Sequence, residues 1–174
     1  MELQEAITLI SGQPACRPSA GTWADIGCGS GLFTFALAHL LPAGSSIYAI
    51  DKMPVILGPH PDPQQIPIIT QQLDIEKKDP DIKGLQGIMM ANSLHYVADK
   101  ATLLQRLTRL LPPSGQFIIV EYDTSAANPW VPFPVRFEAL KHLFRQAGWT
   151  QAEKLGERPS RYRSGNMYAA LISA

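Results

Sequence analysis

Residues 23–31 read WADIGCGSG, and twenty positions past the last of these glycines the segment YAID (48–51) closes on Asp51. Gly27, Gly29 and Gly31 stand at alternate positions between a short apolar run and a second one, GLFTFALAHLL (31–41). Glycine turns sharply through positive φ and lets a ligand approach the backbone with no Cβ in the way. In an open α/β sheet, ligands sit at the carboxyl ends of the strands, where the first turn meets its helix. A helix amino terminus there offers N–H groups and a partial positive charge, which favour a carboxylate or phosphate. An acid ending the next strand is placed to accept hydrogen bonds from two ribose hydroxyls. The three glycines and Asp51 together indicate a ligand that contains a nucleoside.

Spacing narrows the choice. A dinucleotide fingerprint requires G-x-G-x-x-G. Counting from Gly27 puts Leu32 where the third glycine belongs, and counting from Gly29 puts Thr34 there. No G-K-[ST] follows, so the turn is not a P-loop. The pattern is Gly27-x-Gly29-x-Gly31, preceded by Asp25.

Outward from the turn, strands alternate with helices. Leu3, Ala6, Ile7 and Ile10 have helical spacing over 2–10, and SGQPACRPSAG interrupts them. TWADIG and IYAID read as the first two strands. GPHPDPQQIP (58–67), with four prolines in ten residues, rules out a regular helix there. IPIITQQLDI holds a third strand, LQGIMMANSL a fourth and QFIIVEYD a fifth. Asp99 is positioned to cap a helix over 100–111, and VRFEALKHLFRQAGW reads as another helix. The alternation argues for an α/β fold with a mainly parallel sheet covered on both faces. Residues 150–155 and 166–173 read as two final strands. The ten residues GERPSRYRSG between them leave little room for a crossover helix, so the last strand should run antiparallel to its predecessor.

The bulk numbers fit one domain, 1–174. The chain is 45% apolar, and fifteen basic residues balance fifteen acidic ones, so the overall field selects no polyanionic partner. Two cysteines, Cys16 and Cys28, form no disulfide framework, and a reduced, cytoplasmic setting is the simpler reading. The first residues carry Glu2 and Glu5 and no basic region, unlike a secretory signal, and no apolar run approaches the roughly 20 residues that span a bilayer. His39, His60 and His142 lack metal-ligand spacing, so no metal site is expected.

The motifs resemble those of the class I S-adenosylmethionine-dependent methyltransferases. ADIGCGSG is similar to that family's first motif, IYAID to its second, QQLDI to its third, IMMANSLHYV to its fourth and LLPPSGQFIIVEYD to the segment after it, across about residues 20–123. The resemblance implies a Rossmann-like, mainly parallel seven-stranded sheet with helices on both faces and an antiparallel C-terminal hairpin. It also implies S-adenosyl-L-methionine as cofactor and S-adenosyl-L-homocysteine as product. The turn from Asp25 through Gly27, Cys28, Gly29 and Gly31 would hold the methionine part, and Asp51 the ribose. Lys52 and Met53 would flank the adenine, and Asp74 would accept from its amine beside Ile75. Asn92 and Ser93 would face the sulfonium and the acceptor. The fourth motif lacks N/D-P-P-Y/F, which argues against amino methylation of DNA bases.

Transfer from a sulfonium needs alignment above all, and a base only where the acceptor must lose a proton. His95 is the candidate base, with helix packing as its competing reading; Glu121, Tyr122 and Asp123 end strand five on the same rim. The stretch NPWVPFP places Trp130 and Phe133 on the ligand side, where with Tyr96 and Tyr122 they are expected to bind a small-molecule acceptor. Phe137 is expected to pack the last helix instead. Segments 1–20 and 124–136 are the pieces available as a lid. Two other readings stay open: a cofactor-binding module without catalysis, and RNA methylation, for which Arg158, Arg161 and Arg163 are the only hint.

Overall fold

The computed structural model describes residues 1–12, 18–59, 61, 64–160 and 165–174. Seven strands form one sheet: β1 (Thr22–Ile26), β2 (Ser46–Asp51), β3 (Ile68–Gln72), β4 (Leu85–Ala91), β5 (Gln116–Tyr122), β6 (Gln151–Pro159) and β7 (Asn166–Ser173). Their order across the sheet is β3-β2-β1-β4-β5-β7-β6. Neighbours from β3 to β5 pair in parallel, and β7 runs antiparallel to both β5 and β6. The expected antiparallel ending is present, with one difference. The last strand inserts beside β5, so its predecessor β6 forms the edge, and β6 continues to Pro159 rather than stopping at 155, with an irregularity between Lys154 and Gly156.

The pleat sorts strand residues between two cores. One face buries Ala24, Ile26, Ile88, Phe117 and Ile119 under α3 (Lys100–Thr108) and α4 (Phe137–Gln146), through Leu103, Leu107, Leu140 and Phe144. The other buries Trp23, Ile47, Met89, Ile118 and Val120 under α1 (Leu3–Ser11) and α2 (Leu32–Leu40), through Ala6, Ile10, Phe33 and Leu37. Helices therefore cover both faces. Asp99 caps α3 by accepting from the Thr102 N–H at 3.0 Å, as its position implied. Phe137 packs edge-on against Tyr168, 5.5 Å between ring centroids, which anchors α4 to the sheet. α1 contributes its buried side to the core beside α2 and β6. The prolines of 58–67 have the expected effect: among the described residues no helix connects β2 to β3.

The indole of Trp23 is wholly buried, and it lies against Gly87 of β4 in the space a side chain would take there. Gly87→Ala should therefore overpack the sheet and cost about 1–3 kcal/mol, read as a lower urea midpoint with an unchanged slope. An unchanged midpoint would show that the indole moves aside freely.

Candidate active site

At the carboxyl end of β1 the chain must reverse into α2 within five residues. Gly27, Gly29 and Gly31 all adopt positive φ (75°, 53° and 88°), and Gly31 is the N-cap of α2. The Gly27 position has a second requirement, because a Cβ there would overlap the Ser93 side chain. The turn's N–H groups are spent on β2. Those of Gly27 and Cys28 donate to the Ile50 carbonyl at 2.8 and 3.1 Å, and that of Gly29 donates to Asp51 Oδ2 at 2.9 Å. The sequence reading put free amides here for an anionic ligand group; for these three residues the structure corrects it. Their N–H groups pin the loop to the neighbouring strand.

Asp51 accepts twice, the second bond coming from the Met53 N–H to Oδ1 at 2.9 Å. An ionised carboxylate offers about four acceptor sites. Two therefore remain, and Asp51 lines a cavity of about 320 Å³ together with Gly27, Gly29 and Lys52. Its apolar wall includes Leu73, Ile75 and Val97, and Asp74, Asn92, Ser93 and Tyr96 also face it. Eight of the twelve residues assigned to a cofactor from sequence thus line one space, and Asp25, Cys28, Gly31 and Met53 do not. The buried Cys28 thiol is pushed up to about 12, by desolvation first and by Asp25 and Asp51 next.

Asp25 is buried beneath the loop, and Thr34 of α2 donates its hydroxyl to Oδ2 at 2.5 Å. It faces α2 because it shares strand parity with Trp23. Burial pushes its carboxyl up from 3.8 to about 7, with the Thr34 bond pulling down and Asp51 adding a smaller push upward. Met53 is exposed, and it contributes its backbone to Asp51. Asp74 accepts from the Glu76 N–H and pairs with Lys77 at 3.0 Å, which lowers its pKa while leaving it on the cavity wall.

Beyond β4, Asn92 takes positive φ (54°), and Ser93 donates to the Ile26 carbonyl at 2.7 Å, tying the β4 end to β1. Asn92 Oδ1 is buried with no hydrogen-bond partner. Asn92 and Tyr96 also line a second cavity of about 510 Å³, so the two spaces share a boundary. His95 lines the second cavity from a 3-10 turn, Leu94–Tyr96. Its Nδ1 lies 2.6 Å from Glu121 Oε2, and its backbone N–H donates to Oε1 at 3.0 Å. Both side chains are buried. Glu121 follows Phe117 and Ile119 on the inward side of β5, where an acid requires a partner. That parity is the signal the sequence offers for its pairing with His95. Asp123 instead accepts from the Phe137 N–H and sits 3.5 Å from Arg136.

Tyr122 and Trp130 line the second cavity together with Asn128 and Val131, which no sequence motif singles out. Phe133 does not line it. Its N–H donates to the His95 carbonyl at 3.0 Å, and its ring lies 5.5 Å from Lys100 Nζ. Of the arginines suggested for RNA, Arg158 pairs with Glu5 at 2.9 Å, and Arg161 and Arg163 lie outside the described residues.

A family model described as a methyltransferase domain matches residues 2–164. The chain belongs to this methyltransferase-domain family. It is 30% identical over 101 residues to an uncharacterised methyltransferase of Mycobacterium bovis, and equally so to one of Mycobacterium tuberculosis; the match covers 58% of this chain. The chain spans about half the length of these curated relatives, since the match takes in 50% of theirs. The 1,6-didemethyltoxoflavin-N1-methyltransferase of Burkholderia thailandensis, solved with 1,6-didemethyltoxoflavin and S-adenosylhomocysteine, shares the fold. Its TM-score is 0.68 at 18% identity, covering 98% of this chain and 76% of that one. The calicheamicin-biosynthesis methyltransferase CalO1, solved with S-adenosylhomocysteine, gives 0.69 at 18% identity, covering 98% and 53%. No helix among the described residues is long and apolar enough to cross a membrane.

Asp25 makes the stability of this site depend on pH. The folded state holds the Asp25 proton to about pH 7, whereas the unfolded chain releases it near 3.8. Stability from this group is therefore intact below about pH 4 and falls as pH climbs toward 7, by at most about 4 kcal/mol. Between pH 5 and 8 the melting temperature of the native protein should drop more than that of Asp25→Asn, which keeps the acceptor for Thr34 and cannot ionise. Parallel melting curves would refute the buried acid.

Proposed function

We propose that the chain transfers a methyl group from S-adenosylmethionine to a small-molecule acceptor. The observation that carries this reading is the pair of adjoining cavities, one framed by the glycine loop and Asp51, the other faced by His95 and backed by Glu121, with Asn92 and Tyr96 between them.

The first cavity fits the cofactor by its donor set. Asp51 has acceptor sites left for ribose hydroxyls, and the Asn92 oxygen lacks a partner. Gly29 has open space where a Cβ would stand, and Leu73, Ile75 and Val97 offer an apolar wall to a base. Asp51, Asp74 and Glu76 outnumber Lys52 on the lining, a balance that favours a ligand carrying net positive charge. Bound there, S-adenosylmethionine supplies a methyl group on a sulfonium already activated for in-line displacement.

In the second cavity His95 serves as base. Its bond to Glu121 fixes the tautomer with the proton on Nδ1 and the lone pair on Nε2. Glu121 holds the ring in place and balances the charge that arrives with a proton, the division of labour seen whenever a buried carboxylate orients a catalytic imidazole. Phe133 and Glu121 each hold the His95 backbone as well, so the ring is positioned from both sides.

Calorimetry should show binding of S-adenosylmethionine and S-adenosylhomocysteine and none of NAD; the reverse would overturn the reading. Asp51→Ala should weaken the sulfur nucleosides at least about tenfold, since bonds to a charged acceptor are worth about 1.5–3 kcal/mol each. Because Asp51 also holds the Gly29 and Met53 amides, the variant should lose stability too, by about 1–3 kcal/mol. Glu121→Gln should leave cofactor affinity within about twofold and cut S-adenosylhomocysteine formation by about 10²–10⁴, the range for a disabled base. A panel of phenols and N-heterocycles supplies the acceptors, and equal turnover by both proteins would remove His95 and Glu121 from the chemistry.

A further inference from the structure

The second cavity carries information about its occupant. Four of its lining residues, His95, Tyr96, Tyr122 and Trp130, have ring systems, and the remaining polar ones, Asn92 and Asn128, are uncharged amides. No lysine or arginine lines it among the described residues. The nearby cations are engaged elsewhere. Lys100 Nζ donates to the Val97 carbonyl at 2.6 Å and lies within electrostatic reach of Glu121, and Arg136 faces Asp123. The acid next to the lining is Glu121, buried behind His95. An acceptor bearing a carboxylate or phosphate would be desolvated beside this acid with no cation on the lining to pair with it, which is unfavourable.

Trp130 shows where a flat molecule would lie. Trp23 and Trp149 are spent on the core, whereas Trp130 is 75% exposed while lining the cavity. It is held there by design of the chain. Asn128 Oδ1 accepts from the Trp130 and Val131 N–H groups at 2.9 and 2.8 Å, Pro129 and Pro132 stiffen the segment, and the Phe133 N–H fastens it to the His95 carbonyl. A large aromatic face presented on a rigid turn gains most from an aromatic or conjugated partner stacked on it. The cavity volume is within the ~300–1,000 Å³ of ordinary small-molecule sites.

We propose that the acceptor is an uncharged, flat aromatic or conjugated molecule whose nucleophile is a hydroxyl or ring N–H, seated between Trp130 and His95; the proposal rests on the methyl-transfer reading above. A lone pair on the acceptor oxygen or nitrogen forms the bond to the methyl carbon, and the carbon–sulfur bonding pair stays with sulfur. The acceptor's proton passes to His95 Nε2, so the product leaves uncharged.

The test uses the whole chain saturated with S-adenosylhomocysteine and three probes of one skeleton: 2-naphthol, its anionic counterpart 2-naphthoate, and the non-planar decahydro-2-naphthol. Titration calorimetry should show 2-naphthol binding at least about tenfold tighter than either of the others, the scale of one unpaired charge or one lost stacking face. Trp130→Ala should weaken 2-naphthol at least about fivefold, with S-adenosylhomocysteine affinity and melting temperature unchanged because the indole is exposed. Trp130→Arg should invert the preference toward 2-naphthoate. Equal or tighter binding of 2-naphthoate by the native protein, no binding of 2-naphthol, or indifference to Trp130→Ala would each overturn the acceptor class while leaving the cofactor reading standing. Failure to bind S-adenosylhomocysteine would remove that reading, and this one with it.

Discussion

The turn between β1 and α2 is held from the side, by β2. Two amides of the turn converge on the Ile50 carbonyl and a third reaches the Asp51 carboxylate. With those bonds in place the backbone runs through three positive-φ residues, and the Gly27 Cα can lie against Ser93. Ser93 in turn donates to the end of β1. Three strand ends, those of β1, β2 and β4, are thereby locked at one level, and the cavity they frame is left between them. The energy of each bond is modest, about 1 kcal/mol net for a neutral pair. Their shared geometry fixes the site, since loosening any one frees a segment that the other two position.

A second consequence of the same arrangement is that acidic groups crowd the loop. Asp25 lies beneath it and Asp51 beside it, and Asp51 adds to the cost that burial sets on ionising Asp25. The buried one yields, keeping its proton to about pH 7, while the partly exposed one accepts backbone amides. The two acids therefore have different tasks. Asp25 fastens α2 through Thr34, and Asp51 organises the loop and presents its remaining lone pairs to the cavity.

The catalytic half of the proposed site depends on strand parity in β5. Glu121 points to the face covered by α3 and α4, and Tyr122, one residue on, points to the opposite face. A one-residue slip would put the carboxylate among the side chains beneath α1 and α2 and leave His95 without its partner. The pairing of β5 with β4 on one side and β7 on the other sets that register over seven residues. β7 must therefore insert beside β5 rather than extend the sheet beyond β6, even though it is the last strand in the chain.

Much of this was legible in the residue order. The strand–helix alternation, the missing third dinucleotide glycine, the Asp99 cap and the ten-residue limit on the final connection are local features, and local sterics and hydrogen bonding decide them. So the α/β sheet, its antiparallel end and the gathering of the glycine turn with Asp51 followed from the sequence by itself. The partner of each polar group did not. That the Gly29 amide faces Asp51, that Asp25 turns toward Thr34, that Glu121 meets His95 and that Phe133 lies outside the cavity Trp130 lines are contacts between residues 9 to 38 positions apart. Only packing brings such residues together, and a buried charge takes whichever partner the fold delivers because leaving it unpaired costs more than any local preference.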